Sequence, residues 1–357
     1  MTPRRSRLAA AIALVAAAAG AGLPSAAAMD APRIGSMLVD MPAGRESDWM
    51  LVDMRTGQKR VLPRSQANPT RGEGFDTWSA SGAAAHQLMR VSSEGVLEFF
   101  DGPTLRPDGG FALSSLPGTR GPKFFGNAHL SPDGRHVLAY WKADIRQPDC
   151  ELVVFDRQGR ILERGSPLNY DVFNSREAIA WLPDGRYVQT AGDRVVVREI
   201  GNPKYLVAPL HLRPGVSTTG TTMAVSPDGR RLALTLGVAS RNREGIQVGY
   251  ALLFVAALDG TGLHELTAPS ATQFEHGVSW SHGFPSWSPD GHWLAIAPKG
   301  PTGLGALDYG DHCPPVLALR ADGAQVAVDG LHDAAALLVD PGNEVLKSCD
   351  STQWVDW

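Results

Sequence analysis

The sequence predicts an all-β protein, a six-bladed β-propeller whose blades are four-stranded and antiparallel. Two observations lead to this prediction: a four-residue turn recurs along the chain, and apolar runs of strand length flank every copy. The turn glycines are spaced near the interval of about 40 to 50 residues that is typical of propeller blades. The copies are Ser131-Pro132-Asp133-Gly134, Leu182-Pro183-Asp184-Gly185, Ser226-Pro227-Asp228-Gly229 and Ser288-Pro289-Asp290-Gly291.

Each copy of this turn is suited to join two antiparallel strands. Proline presets φ at the second position, aspartate can bond the backbone, and glycine adopts the left-handed conformation that closes the turn. The aspartate of each turn is therefore expected to be structural. We take the residue four places before each turn glycine as the anchor of the innermost strand, which gives Leu130, Trp181, Val225 and Trp287.

The two ends of the chain supply the remaining blades. Trp78-Ser79-Ala80-Ser81-Gly82 is a degenerate copy of the repeat, and the C-terminal residues 353–357 resemble an inner strand that stops at Trp357. Residues 33–63 read as outer strands without an inner strand before them. We therefore predict that the N-terminal strands pair with the C-terminal strand and close a ring of six blades, which leaves no long sheet edge. A seventh blade is the alternative and would need a hidden repeat between Gly229 and Gly291.

The first 28 residues are typical of a secretory signal peptide. Arg4, Arg5 and Arg7 precede an Ala-rich apolar run, and small residues follow it where a peptidase would cut. The predicted domains are therefore a signal peptide at 1–28 and a single propeller at 29–357. We expect a periplasmic or secreted protein with no stable membrane anchor after cleavage; the route of export, general or twin-arginine, stays open.

Charge and cysteine content narrow the partners. The whole chain has a formal net charge of -4, and removal of the three signal arginines lowers it to -7. Nucleic acid is therefore not an expected partner, and we expect a monomer. Of the three cysteines, Cys313 and Cys349 both fall near the C-terminus and form the preferred disulfide pair, although three unpaired thiols remain the alternative.

The repeat resembles that of TolB-like proteins. Their inner strand reads W-S-P-D-G-x-x-L-A and their outer hairpin D-x-x-G-x-x-x-L-T, and residues 287–295 and 259–267 match these patterns. The resemblance implies an exported, non-enzymatic module that binds a protein or peptide of the cell envelope. The α/β domain that precedes the propeller in TolB is not expected here, and the motif itself specifies a fold rather than a function.

The candidate site is the mouth of the central channel. In a propeller, the loops that enter the inner strands and the loops between second and third strands open on one face. An aromatic and polar lining there suits capture of a peptide or sugar ring. The predicted ligand-binding residues are Asn127, Arg176, Glu177, His282, Asp311, His312 and Trp354.

A second hypothesis is a metal-dependent propeller hydrolase or lyase that acts on a lactone or carbohydrate. Imidazoles and carboxylates such as His282, Asp311 and Glu177 suit zinc or manganese, and oxygen ligands that include Asn127 suit calcium. The spacing of these residues matches no known ligand motif. We therefore expect no catalytic residues and no cofactor, with a channel-bound divalent cation such as calcium as the alternative.

Overall fold

The structure is a computed structural model, and it describes most of the chain after residue 32. Within the described ranges the only element other than strand is one turn of 3-10 helix at Leu113–Ser115. The predicted signal peptide at 1–28 lies outside them. No helix in these ranges is long and apolar enough to cross a membrane. The described residues are 33–43, 46–63, 77–81, 86–92, 95–116, 124–142, 151–165, 178–241, 247–269, 281–282, 284–299, 313, 315–328, 337–348 and 352–355.

The strands form the six blades that the repeat predicts. We number the blades in chain order from the first complete one. Blade 6 combines both chain ends: β1 (Ser36–Ala43), β2 (Glu46–Asp53), β3 (Lys59–Val61) and the last strand, β27 (Thr352–Val355). Blade 1 contains β4 (Thr77–Ala80), β5 (Gln87–Val91), β6 (Val96–Asp101) and β7 (Arg106–Ala112). Blade 2 contains β8 (Phe124–Leu130), β9 (His136–Lys142), β10 (Glu151–Asp156) and β11 (Ile161–Arg164).

Blades 3 and 4 follow the same antiparallel order, and so do the three strands of the main sheet of blade 5, whereas one of the two short pairs beside that sheet is parallel. Blade 3 contains β12 (Ile179–Trp181), β13 (Tyr187–Ala191), β14 (Arg194–Arg198) and β15 (Leu206–Pro209). Blade 4 contains β16 (Val216–Val225), β17 (Arg231–Arg241), β18 (Gln247–Ala257) and β19 (His264–Glu265). Blade 5 contains β22 (Ser286–Trp287), β23 (Trp293–Ile296) and β25 (Leu317–Arg320), with the short pairs β20 (Thr267–Pro269) to β26 (Val326–Val328) and β21 (Ser281–His282) to β24 (Pro298–Lys299) beside it.

The hydrophobic core lies between the blades. Six clusters of buried side chains occur among the described residues, and each one joins two adjacent blades. The cluster of Leu38, Leu51, Trp78 and Leu88 joins blade 6 to blade 1. Because the clusters link every blade to the next around the circle, they establish a ring of six rather than an open stack.

Burial on both faces explains why the second strands of the blades read as continuous apolar runs. In β9, Val137 and Trp141 pack towards blade 1, whereas Leu138 and Tyr140 pack towards blade 3. Successive side chains of a strand point to opposite faces, so a strand covered on both sides is apolar at most of its positions.

The ring closes as predicted. In blade 6, β1 pairs antiparallel with β27, so that Ser36 lies opposite Val355 and Leu38 opposite Gln353. The amide of Gln353 then bridges to blade 1: its Oε1 accepts a hydrogen bond from Ala80 N at 3.0 Å, and its Nε2 donates to Ala80 O at 3.2 Å. One side chain of the last strand therefore joins blade 6 to blade 1.

Similar hydrogen bonds join other inner strands. The Trp181 Nε1 donates to His129 O at 2.9 Å, from blade 3 to blade 2, and Trp287 Nε1 donates to Ala224 O at 3.2 Å, from blade 5 to blade 4. These contacts give the anchor tryptophans a specific role. The indole of each tryptophan packs against the neighbouring blade, and its N–H donates a hydrogen bond to a backbone carbonyl there.

The repeated turns have the geometry that their residues predict. Each turn glycine donates its N–H to the residue three places earlier at 2.8 to 3.0 Å and has a left-handed φ of +69 to +87°. Each turn aspartate accepts the N–H of the residue two places later at 3.0 to 3.1 Å, for example Arg230 N to Asp228 Oδ1. A hydrogen bond from the Ser226 hydroxyl lowers the pKa of Asp228. These aspartates are structural.

The anchor of the inner strand of blade 1 lies two residues later than the sequence predicts. In the regular turns the first serine accepts a hydrogen bond from the strand that follows, as Ser288 Oγ does from Trp293 N at 2.9 Å. In blade 1 the equivalent acceptor is Ser81, which bonds Gln87 N at 2.9 Å. The anchor of this blade is therefore Ala80 rather than Trp78. The longer loop after Ser81 hid the correct alignment.

The segment 337–348 adds a hairpin that the sequence analysis missed. It forms isolated bridges between Val339 and Val345, and between Leu317 of β25 and Leu337. Leu338 and Leu346 are buried in the cluster between blades 5 and 6. The signal for this hairpin is the sequence Asp-Pro-Gly-Asn at 340–343 between two apolar runs.

Candidate functional site

The structure describes only part of the predicted channel mouth. Arg176, Glu177, Asp311 and His312 lie outside the described residues. For Asn127, His282 and Trp354 the backbone is described: they belong to β8, β21 and β27. The geometry of the mouth is therefore built from the backbone of the inner strands and from the side chains described beside it.

Three inner strands are irregular at the same level. We call the part of an inner strand before its anchor its entry end, and the face of the ring where these ends lie the entry face. The entry ends of blades 2, 4 and 5 each contain a shift of register against the second strand. Bulges of this kind release backbone groups from the ladder and turn side chains in new directions, and they are common beside binding sites.

In blade 2 the irregularity lies at Asn127. Gly126 pairs with Tyr140 and His129 pairs with Leu138, so Asn127 and Ala128 together face a single residue of β9. The predicted site residue Asn127 is thus in a bulge.

His129 follows this bulge. Burial lowers the pKa of its imidazole to about 4. The imidazole is therefore neutral at physiological pH.

In blade 4 the irregularity is larger. Ser217 pairs with Gly237 and Thr222 with Thr235, which is a shift of three residues within β16. The Thr218 hydroxyl donates to Gly192 O at 2.7 Å, in the turn between β13 and β14 of blade 3. Loops between second and third strands therefore reach the entry face, in agreement with the sequence analysis.

In blade 5 the inner hairpin continues past its regular part. Ser286 pairs with Ala295, but His282 pairs with Pro298, so the register shifts by one residue between the two pairs. This places the backbone of His282 on a short extension of blade 5 at the entry face. The role of His282 in a ligand site stays a prediction, because its side chain lies outside the description.

At the C-terminus, the predicted site residue Trp354 pairs with Met37 in the last strand. Its neighbour Gln353 uses both amide atoms on Ala80. The polar function of this strand is therefore ring closure. The sequence analysis predicted ring closure by this segment and ligand binding by Trp354, but it missed the bonds of Gln353, because a contact between residues 273 positions apart leaves no local pattern.

The described residues give no metal centre. No group of three or more His, Cys, Asp or Glu side chains within the ranges given above is arranged to hold a metal ion. The predicted ligands Glu177, Asp311 and His312 are not among those residues. Metal analysis of the purified protein tests whether it binds a cation.

One small cleft lies away from the mouth, on the outer side of the ring near blades 3 and 4. The Arg213 guanidinium forms an ion pair with Glu265 at 2.7 Å there, which neutralises its charge. The cleft is lined by His211, Arg213, Val216, Phe254, Leu263, His264 and Glu265. Its polar groups are thus largely matched within the protein.

Comparison with known proteins assigns the chain to no family. No protein family model matches the chain, and no curated protein matches it. Among solved structures, the chain is similar to a protein of unknown function from Bacteroides caccae, with 13% identity, a TM-score of 0.45 and coverage of 90% of this chain and 99% of that one. It is similar to the Cps50 (Swd1) β-propeller domain of Myceliophteria thermophila, with 14% identity, a TM-score of 0.41 and coverage of 82% and 84%. It is also similar to an oligogalacturonate lyase in complex with manganese, with 14% identity, a TM-score of 0.40 and coverage of 76% and 67%. These likenesses assign no function, and it is the arrangement of the six blades described above that shows the protein to be a β-propeller.

Proposed function

We propose that this protein is an exported, TolB-like binding module without catalytic activity, and that it captures a protein or peptide of the cell envelope at its entry face. The observation that carries the proposal is the set of register shifts at the entry ends of blades 2, 4 and 5. Backbone N–H and C=O groups that leave a ladder need other partners. An extended peptide can supply them, as it does in other modes of main-chain recognition.

The side chains described beside these ends support a binding role. The Thr222 hydroxyl is buried and lies 2.7 Å from that of Thr235, and the Thr218 hydroxyl is bonded to Gly192 O. Both therefore support the backbone of the irregular segment rather than act on a ligand. A preformed mouth of this kind binds with a smaller loss of conformational entropy than a mobile one.

A paired variant tests the entry face. We expect Arg176→Ala combined with His282→Ala to lower capture of envelope proteins by the mature chain at least about tenfold, because an interface loses about 1 to 3 kcal/mol when a central polar anchor is removed. The measurement is affinity capture from envelope extracts, with the captured proteins quantified by mass spectrometry.

The matched control carries the same two residue types on the opposite face. Arg230 and His292 are exposed and lie in the turns after the inner strands of blades 4 and 5. Arg230→Ala combined with His292→Ala should capture the same proteins as the natural chain. Equal capture by all three proteins would refute the entry face as the binding site.

Metal analysis separates this proposal from the hydrolase or lyase hypothesis. A stoichiometric bound cation whose removal abolishes turnover of a lactone or carbohydrate would favour the enzyme. Protein that captures its partner equally well after treatment with a chelator would favour the binding module. Both measurements use the mature chain as purified from the exported fraction.

The state of the cysteines supports export. Cys313 is disulfide-bonded, and its partner lies outside the described residues. Disulfides persist in exported proteins rather than in the cytosol. We propose Cys349 as the partner, because Pro315 pairs antiparallel with Lys347 and two further steps of that register bring positions 313 and 349 opposite each other.

The hydrogen-bond phase of this register favours a disulfide. Val316 N donates to Leu346 O at 2.8 Å, which makes the Pro315 and Lys347 pair a non-hydrogen-bonded one, and two steps along the ladder restore the same type. Such pairs have the shorter Cα separation, within the range that a disulfide spans.

Peptide mapping without reduction tests this pairing. We expect a linked peptide that contains Cys313 and Cys349, and alkylation of Cys150. Cys349→Ser should lower the free energy of unfolding by about 3 to 4 kcal/mol, the value for a loop of this length, whereas Cys150→Ser should leave it unchanged. A linked peptide that contains Cys150 would contradict the assignment.

A further inference from the structure

The outer strand of blade 3 exposes an apolar edge. The exposed fractions of Tyr205, Leu206 and Val207 are 54%, 66% and 46%. Every other four-stranded blade carries charge on its outer strand, which opposes pairing with a second chain. These charged residues are Lys59 and Arg60 in β3, Arg106 and Asp108 in β7, Glu163 and Arg164 in β11, and Glu265 in β19. β15 has no such residue.

The backbone of this edge has a defined hydrogen-bond phase. Leu210 N donates to Asp193 O at 2.7 Å, so the even-numbered residues of β15 bond to β14 and the odd-numbered residues point away from the blade. The Arg198 guanidinium lies 5.0 Å from the centre of the Tyr205 ring, so these two side chains lie beside each other one step beyond the last pair of the ladder. The N–H and C=O groups of Val207 therefore face outwards, and continuation of the same alternation by one step beyond the ladder gives those of Tyr205 the same direction.

Two prolines limit this open edge to those two residues. Pro203 precedes it and Pro209 ends it, and neither has an N–H group. The carbonyl of Pro209 is also covered by the neighbouring blade, since a Cβ added to Gly260 would lie 2.1 Å from it. The open groups are symmetric about Leu206.

We propose that β15 forms a two-fold homodimer by antiparallel pairing with β15 of a second copy. In this register Tyr205 lies opposite Val207 of the second copy, and the N–H and C=O groups of both residues give four hydrogen bonds across the interface. A shift by two residues in either direction brings Pro203 or Pro209 opposite an open residue, where no N–H can return the bond.

The side chains fit the same register. Each Tyr205 meets a Val207, an aromatic and β-branched pair that stabilises antiparallel sheets. Leu206 meets its own copy at the two-fold axis, and Lys204 lies opposite Ala208, so no like charges face each other. A self-complementary strand with these properties is what an isologous interface requires. The inference replaces the monomer expected from the sequence, and it does not depend on the proposed binding function.

Sedimentation velocity of the mature chain over a range of concentrations tests the dimer. Because the interface is small, we expect a dissociation constant on the order of 10 to 100 μM. Val207→Lys should raise it at least about tenfold by placing charge at the edge. Val207→Pro should do the same by removing one outward N–H, and neither variant breaks a bond to β14. Thermal melting of both variants should match that of the natural chain.

The matched control is Val61→Lys, which changes another exposed valine on an outer strand, 56% exposed in β3. It should dimerise as the natural chain does. Leu206→Cys tests the register, since a disulfide between copies should form at the two-fold axis beyond any baseline from the native cysteines. A natural chain that stays monomeric at the highest concentration, or a dimer that persists in both Val207 variants, would overturn the proposal.

Discussion

Gly260→Ala is expected to lower the free energy of unfolding by about 2 to 5 kcal/mol. Two causes combine at this position. The backbone has a left-handed φ of +78°, which an alanine adopts only with strain, and the added Cβ would lie 2.1 Å from Pro209 O. Gly260 is buried in the turn between β18 and β19 of blade 4, and Pro209 ends β15 of blade 3. The turn cannot move away without opening the contact between these blades.

The same turn provides a matched control. Gly262 also has a left-handed φ, of +65°, but a Cβ there would meet nothing within 4 Å. Gly262→Ala should therefore cost only the conformational strain, about 1 to 2 kcal/mol. Denaturant unfolding of the two variants measures the difference. Equal losses would show that Gly260 does not pack against blade 3 as described.

Gln353→Leu is expected to lower the free energy of unfolding by about 2 to 4 kcal/mol, because it leaves a buried donor and a buried acceptor without partners. Gln353 bonds both the N–H and the C=O of Ala80 and thereby joins blade 6 to blade 1. Ala80 is only 5% exposed, so water replaces these bonds poorly. Leucine keeps the approximate volume of the side chain, which isolates the effect of the amide.

Gln158→Leu is the control for this change of residue type. Gln158 is exposed in the turn between β10 and β11, and the bond described there uses its backbone N–H. Its replacement should change the stability by less than about 0.5 kcal/mol. Removal of residues 352–357 should have a larger effect than Gln353→Leu, since it exposes the edge of β1 and the fully buried Met37 and Leu38. A truncated chain as stable as the natural one would refute ring closure by β27.

For the candidate site, the sequence predicted only how far before the anchor of each inner strand its residues lie. Counting back from each turn put Asn127 and His282 before the anchors of their blades, and the structure has them in β8 and β21. Their roles in a ligand site stay predictions. The three-residue shift within β16 had no sequence signal that we recognised, since threonines and a glycine suit many conformations. Arg176, Glu177, Asp311 and His312 lie outside the described residues, and their roles stay predictions.

The sequence by itself determined the repeat, the turn geometry and the number of blades. These depend on local chemistry: proline, aspartate and glycine specify a tight turn, and continuous apolar runs specify strands buried on both faces. Only the tertiary structure decided that Gln353 bonds Ala80 of blade 1, that Trp181 and Trp287 bond carbonyls of preceding blades, and that β15 keeps an open edge. Those features arise between residues far apart in the chain, where partner and register follow from how the blades pack and not from any neighbouring residue.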